Sequence, residues 1–300
     1  VRTIFFRTLD HGIIVMTLTD LGNLQIKRSP MMVHYVYVFH SLVSTHMIYR
    51  NNAFDHYDSV LCCGPHHIDE IRKTEAVYGL PPKQLFEHGY GRLDSLLKDK
   101  ENHQEIQDGG HKRVLIAPSW GPNGIYESGC GEILVETLLT AGFHVTARVH
   151  PQTIILNRDC WTRLVERFQG KPNFEYEDDM GSQGSLRAAD IMVGDWSGAA
   201  LEYAFAFERP VLFVDVPHKI NNPEYGVLNT IPLEVSVREQ LGIVISPENL
   251  DQVPDLVSRL CEPSDDHIRQ IRQVREKTVF NSGNSGRRGA EIISQLSKDL

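Results

Sequence analysis

SLRAADIMVGDWSGAALEYAFAFERPVLFVD, residues Ser185 to Asp215, is the stretch that decides the fold. A helix closes at Ala188-Ala189-Asp190. A short apolar run, Ile191 to Val193, then reads as a buried strand. The small-residue loop Gly194-Asp195-Trp196-Ser197-Gly198 follows, with a helix over Ala199–Phe207 and a second apolar strand over Val211–Val214. Two buried strands joined by a helix require a crossover, so the strands are parallel and both faces of their sheet are covered.

The same alternation extends outward in both directions. Tyr35–Phe39, Ser59–Cys63, Val114–Ala117 and Val145–Val149 are short β-branched or aromatic runs ending in polar or Gly/Pro clusters. Helical periodicity fills the gaps at Ile68–Tyr78 and Gly131–Thr140, and continues at Asn249–Leu260 and His267–Phe280. The class is α/β with parallel sheets, and ligands of such sheets bind beyond the carboxyl ends of the strands. KDKENHQEIQDGGHK, Lys98 to Lys112, interrupts the alternation with charge and Gly109-Gly110, and reads as an interdomain linker. It predicts a first α/β domain over 1–108 and a second over 111–300. The chain opens at Val1, and a first domain of about 108 residues is short beside its partner, which fits a longer protein continuing upstream.

Composition removes several classes. A formal charge of -9 argues against a general nucleic-acid binder, though not against a local phosphate pocket. Five cysteines without a CxxC pair fit a reduced, cytoplasmic compartment. No apolar run approaches the roughly 20 residues a membrane span needs. HExxH, DxD, GxxxxGK[ST] and GxSxG are all missing, which disfavours zinc hydrolases, DxD glycosyltransferases, P-loop enzymes and α/β-hydrolases. The adjacent His66-His67 begin a helix and point apart, so no shared metal is expected, nor any other cofactor.

The candidates for chemistry sit just after the strands. His40 ends the first run, where a neutral imidazole can take a proton from a hydroxyl; a strand-capping histidine is the bland alternative. His150 ends ARVHP and can donate to a phosphate oxygen, while Arg148 beside it reads as an ordinary surface residue. Asp195, Ser197 and Gly198 open a helix whose N-terminus suits an anion; a plain N-cap at Ser197 is equally compatible with the residues. Arg92 in HGYGRLDSL can meet a phosphate, with Asp94 capping the next helix; a surface Arg92–Asp94 arrangement without a ligand is the bland alternative. Ser119 and Trp120 end the first strand of the second domain, where the ring can stack on a base or pack a loop.

Taken in order, these clusters resemble the CDP-glycerol glycerophosphotransferase family of teichoic-acid and capsule polymerases. VFHS (Val38–Ser41) stands at the family's first histidine motif, GYGRLD (Gly89–Asp94) at G-x-x-R-x-D, and APSW (Ala117–Trp120) at A-P-[ST]-W. His150-Pro151 and Ala189–Ser197 match the later histidine and A-D-x-x-[IV]-x-D-[YW]-S motifs, over roughly 35–290 in all. Phe39-His40-Ser41-Leu42 departs from the family's Trp-His-Gly-Thr, and Trp196-Ser197-Gly198 from Tyr-Ser-Ser. Glu202 stands where an aspartate is usual.

The resemblance implies a GT-B-like fold, two Rossmann-like domains with parallel sheets facing a cleft. It implies a CDP-linked donor, a polymer or lipid-linked acceptor, no nucleic acid, and peripheral association with the inner face of the membrane. His40 and His150 are then the catalytic pair, and Arg92, Ser119, Trp120, Asp195, Ser197, Gly198 and Glu202 the donor and phosphate contacts. The rival readings are a GT-B glycosyltransferase, a UDP-sugar 2-epimerase and a non-catalytic module of the same fold.

Overall fold

The computed structural model describes residues 2–23, 26–102, 110–179 and 181–299, and the strand–helix alternation becomes two sheets, both parallel throughout. The first runs in the order β1-β2-β3-β4, formed by His11–Met16, Met32–Val38, Ser59–Cys62 and Gln84–Glu87. The second contains β5 (Arg113–Ile116), β6 (His144–Arg148), β7 (Phe174–Glu177), β8 (Ile191–Gly194), β9 (Val211–Val214) and β10 (Gly242–Ile245). Its order is β10-β9-β8-β5-β6-β7. Counted from its own first strand this is the 3-2-1-4-5-6 arrangement of dinucleotide-binding sheets, whose strand order reverses between β5 and β8. Those two strands pair directly, Val114 with Ile191 and Ile116 with Val193.

Each predicted strand forms. The four strands outside the six predicted runs, β1, β4, β7 and β10, all lie at sheet edges and are only partly buried. β4 and β7 carry little apolar sequence, whereas β1 contains Ile13–Met16 and β10 contains Ile243–Ile245. The central strands β3, β8 and β9 are buried at every position, which is why they stand out as apolar runs.

The chain forms two compact units, and they do not follow a single division at 108/111. One comprises Val1–Ser95, Ile220–Leu233 and Glu276–Leu300; the other comprises Leu96–Lys219 and Glu234–Arg275. The expected linker is also partly helical, since the Gly91–Asn102 helix runs through its first residues, while its 103–109 portion lies outside the described residues.

The returning C-terminal segment explains the difference. The Ser285–Asp299 helix places Ile292 and Leu296 on one face, four residues apart, and buries both against Val36 of β2 and Leu61 of β3. Each such side chain contributes about 1.5–3 kcal/mol of transfer free energy. Asp94, expected to cap the helix next to it, instead lies in the first turn of the Gly91–Asn102 helix and caps this one. Its carboxylate accepts Gly283 N at 2.6 Å and Ser285 N at 2.7 Å, across about 190 residues of chain. Gly89, at φ +103°, completes the junction: a Cβ there would stand 2.3 Å from the Phe280 carbonyl oxygen.

Candidate active site

In the second unit the loops after β5, β6, β8 and β9 converge at the point where the strand order reverses. The β5 and β8 loops are tied together: Ser119 N donates to Asp195 Oδ1 at 2.7 Å. Asp195 is 1% exposed. Burial raises its pKa, and the Ser119 hydrogen bond and the Lys219 charge act against that rise. A buried carboxylate that accepts a backbone N–H positions a loop; it does not itself bind phosphate. Gly121, at φ +145°, then turns the chain away from Trp120.

Trp120 is half-buried, and one of its faces is taken by a cation. Lys219, from the segment after β9, sets its ammonium 3.5 Å from the ring centroid. The His150 ring lies 6.1 Å from the same indole. Burial lowers the Lys219 pKa to about 8, with Asp195 and Glu127 opposing the shift. Lys219 was not among the residues singled out from sequence. The signal was available, because VDVPHK continues directly from a buried strand into the loop where ligands of such sheets bind.

His150 is the N-cap of the Pro151–Leu156 helix, and its Nδ1 accepts Gln152 N at 3.1 Å. Burial, with the Lys219 charge adding to it, lowers its pKa to about 4. The ring is therefore neutral near pH 7, and with Nδ1 occupied as an acceptor its proton sits on Nε2. The side chain offers one N–H donor. Arg148, read from sequence as a surface residue, is instead 3% exposed. It pairs with Glu177 at 3.4 Å and donates to Ser185 Oγ and Ser182 O.

On the β8 side, Ser197 Oγ accepts Ala199 N at 3.1 Å and caps the Gly198–Phe207 helix. The cap reading thus holds, and the hydroxyl keeps its proton for a further acceptor. Gly198 is the first helical residue, and Glu202, 6% exposed, follows one turn on. Trp196 is structural: its Nε1 donates to Val216 O at 2.8 Å, and the Arg238 guanidinium lies 3.7 Å from its ring centroid.

In the first unit, His40 is exposed just beyond β2. Its Nδ1 lies 2.9 Å from Thr17 Oγ1, and Tyr90 donates its hydroxyl to the His40 carbonyl at 2.8 Å. When Nδ1–H donates to Thr17, Nε2 carries the basic lone pair. Tyr37, Phe39, Tyr49 and Phe54 form an edge-packed cluster that fixes the strand end, and the Tyr49 ring meets His40 at 6.0 Å. Arg92 is half-buried in the first turn of its helix. His66 and His67 are spent on the fold, holding Leu42 O and Val43 O at 2.8 and 3.0 Å. The structure thus gathers Ser119, Trp120, His150 and Asp195 in the second unit, with Ser197, Gly198 and Glu202 on the adjoining helix. His40 and Arg92 belong to the first.

Residues 39–220, more than half of the chain, match the family model described as CDP-glycerol:poly(glycerophosphate) glycerophosphotransferase. The chain belongs to this family. It is a transferase of the glycerophosphotransferase type. No curated protein matches it. Among solved structures, the wall teichoic acid polymerase TagF is similar at 14% identity, covering 97% of this chain and 73% of that one with a TM-score of 0.58. The UDP-GlcNAc 2-epimerase of Methanocaldococcus jannaschii is similar at 15% identity over 87% and 69%, with a TM-score of 0.55. At these identities the likeness concerns the fold, which is the GT-B-like one of this glycerophosphotransferase.

Proposed function

We propose that this glycerophosphotransferase moves a glycerol-phosphate, or related polyol-phosphate, unit from a CDP-linked donor to a hydroxyl of a cell-surface polymer or its lipid-linked precursor. The acceptor oxygen bonds to the β-phosphorus, the bond from that phosphorus to the bridging oxygen breaks, and CMP leaves with the electron pair. The acceptor proton passes to His40 Nε2. His150 Nε2–H and the Lys219 ammonium hold the phosphate oxygens as charge builds, and Arg92 is assigned to phosphate as well. Such transfers depend mainly on positioning and charge stabilisation. Ser119, Trp120, the Ser197 hydroxyl and the Gly198 N–H are assigned to the donor, with Asp195 holding the Ser119 loop in place. Glu202 suits the donor's hydroxyls rather than its phosphates.

The observation that carries this reading is the pairing at Trp120. A neutral imidazole with its N–H on Nε2 and a half-buried ammonium flank one indole at the reversal point of a parallel sheet. Among the described residues no helix is long and apolar enough to cross a membrane.

The test is a turnover screen with CDP-glycerol, CDP-ribitol, UDP-N-acetylglucosamine and CMP-sialic acid. CMP release from a CDP-alcohol is expected, and His40→Ala should lower it by about a hundredfold or more with donor binding retained, the usual worth of a general base. Release of UDP, of CMP from CMP-sialic acid alone, or full activity in His40→Ala would sink the proposal.

A further inference from the structure

The first unit contains an open polar pocket between the Thr45–Ile48 helix, the 50–55 loop, the Pro65–Tyr78 helix and the 222–228 segment. Lys83 lines it with a side chain only 4% exposed. Its Nζ makes a long ion pair, 3.9 Å to Glu75 Oε1, and donates no hydrogen bond to any described residue. Glu75 is already engaged: Oε1 accepts the Lys83 backbone N–H at 2.8 Å, and Oε2 accepts Arg72 at 2.5 Å. Glu224 is engaged too, accepting from Asn51 at 2.6 Å and Tyr78 at 3.0 Å.

Two further charges line the cavity. Asp55, half-buried, and Arg50, exposed, form no hydrogen bond or ion pair through their side chains with any described residue. Burial raises the Asp55 pKa and lowers that of Lys83, as expected of charged groups that have lost water without full compensation. The charged side chains that make no hydrogen bond here are two positive and one negative, with Lys83 and Asp55 close enough to attract each other. A ligand that satisfies all three carries an anionic group with several acceptor oxygens and, close to it, a hydroxyl that can donate. A phosphate ester of a polyol has both.

We propose that this cavity binds a polyol-phosphate unit, with its phosphate oxygens on Lys83 and Arg50 and a hydroxyl donating to Asp55. For the ligand's part in the reaction this rests on the function proposed above: the occupant is a repeat unit of the acceptor. Arg50 directly follows Tyr49, whose ring meets His40, so the rim of the cavity adjoins the base.

The test measures equilibrium binding of glycerophosphoglycerol, glycerol 3-phosphate, inorganic phosphate and glycerol to the intact chain. The same is done for Lys83→Gln, Arg50→Gln and Asp55→Asn, with CMP release followed in the same preparations. The two polyol phosphates should bind the wild type more tightly than phosphate or glycerol. Lys83→Gln and Arg50→Gln should each weaken them about tenfold or more, the worth of one charge-assisted hydrogen bond, with CDP-glycerol affinity unchanged. Asp55→Asn should narrow the gap between glycerol 3-phosphate and inorganic phosphate. Arg50 is exposed, so its variant reports on binding even where Lys83→Gln folds poorly. Absence of polyol-phosphate binding, equal binding of inorganic phosphate or glycerol, or wild-type affinity in Arg50→Gln overturns the site. Should the variants weaken polyol-phosphate binding while no CDP-alcohol yields CMP, the cavity stands and the proposed reaction falls. CMP release with an unaltered acceptor KM in Arg50→Gln gives the reverse.

Discussion

Replacing His150 with glutamine should flatten part of the acid limb of the stability curve. Burial and the Lys219 charge hold this imidazole at about 4 in the folded chain, against about 6.5 in the unfolded chain. As the pH falls, the unfolded chain is protonated first. Stability from this group is therefore complete above about pH 6.5, declines as the pH drops toward 4, and is constant below that. Integrating the two titrations from pH 7 to pH 5 gives a loss of about 2 kcal/mol from this residue alone. Protonation also fills Nδ1, which then cannot accept Gln152 N. A glutamine oxygen can take over that acceptor role and does not titrate. Urea denaturation followed by far-UV circular dichroism, at pH 7 and pH 5, reads the difference directly. His66, His67 and His88 are also lowered by burial, but they contribute equally to both proteins and cancel. The variant should lose about 2 kcal/mol less than the wild type on acidification. Equal losses, or an imidazole titration placing His150 near 6.5, would refute the reasoning.

Three other perturbations test separate parts of the structure. Asp94→Ala removes the acceptor that caps the Ser285–Asp299 helix and should cost about 1–2 kcal/mol in urea denaturation, with Asp94→Asn recovering part of it. Asp195→Ala leaves the Ser119 N–H buried without an acceptor; it should cost about 1–3 kcal/mol and weaken donor binding as the Trp120 loop loosens, both measurable by thermal denaturation with and without donor. Lys219 is cationic below its pKa of about 8, so wild-type donor affinity should fall as the pH rises through that value, and calorimetry on Lys219→Met should show a weaker and flatter profile.

The sequence was most readable where the sheets are deepest. Ile191–Val193 and Val211–Val214 are buried at every position, and such runs admit few other readings. The edge strands β1, β4, β7 and β10 fell outside the predicted runs: β4 and β7 carry little apolar sequence, and the short apolar stretches Ile13–Met16 and Ile243–Ile245 of β1 and β10 were not singled out. The loop residues Ser119, Trp120, His150 and Asp195 could be picked out because they follow central strands directly. What each does was less accessible. The proton on His150 Nε2 follows from a local cap bond to Gln152, whereas that Asp195 holds a loop and that Trp120 is covered by an ammonium depend on contacts between loops up to 99 residues apart. Lys219 was missed for that reason. The division of the chain failed differently, because local composition at 98–112 carries no information about where Ile292 and Leu296 will be buried.

The C-terminal helix also sets the order in which this protein can be finished on the ribosome. The second unit is complete once Arg275 has emerged, whereas the first must wait for Ser285–Asp299 to cover β2 and β3. Roughly 190 residues separate Ser95 from that helix, about 10–40 s of synthesis at ordinary elongation rates, during which Val36 and Leu61 lack their native cover. Of the two units, the one whose strands come first in the sequence is thus the later to be completed. A ribosome that stalls after Arg275 would hold a finished nucleotide-type sheet beside an unfinished, adhesive one, and the nascent first unit is where a chaperone has most to shield.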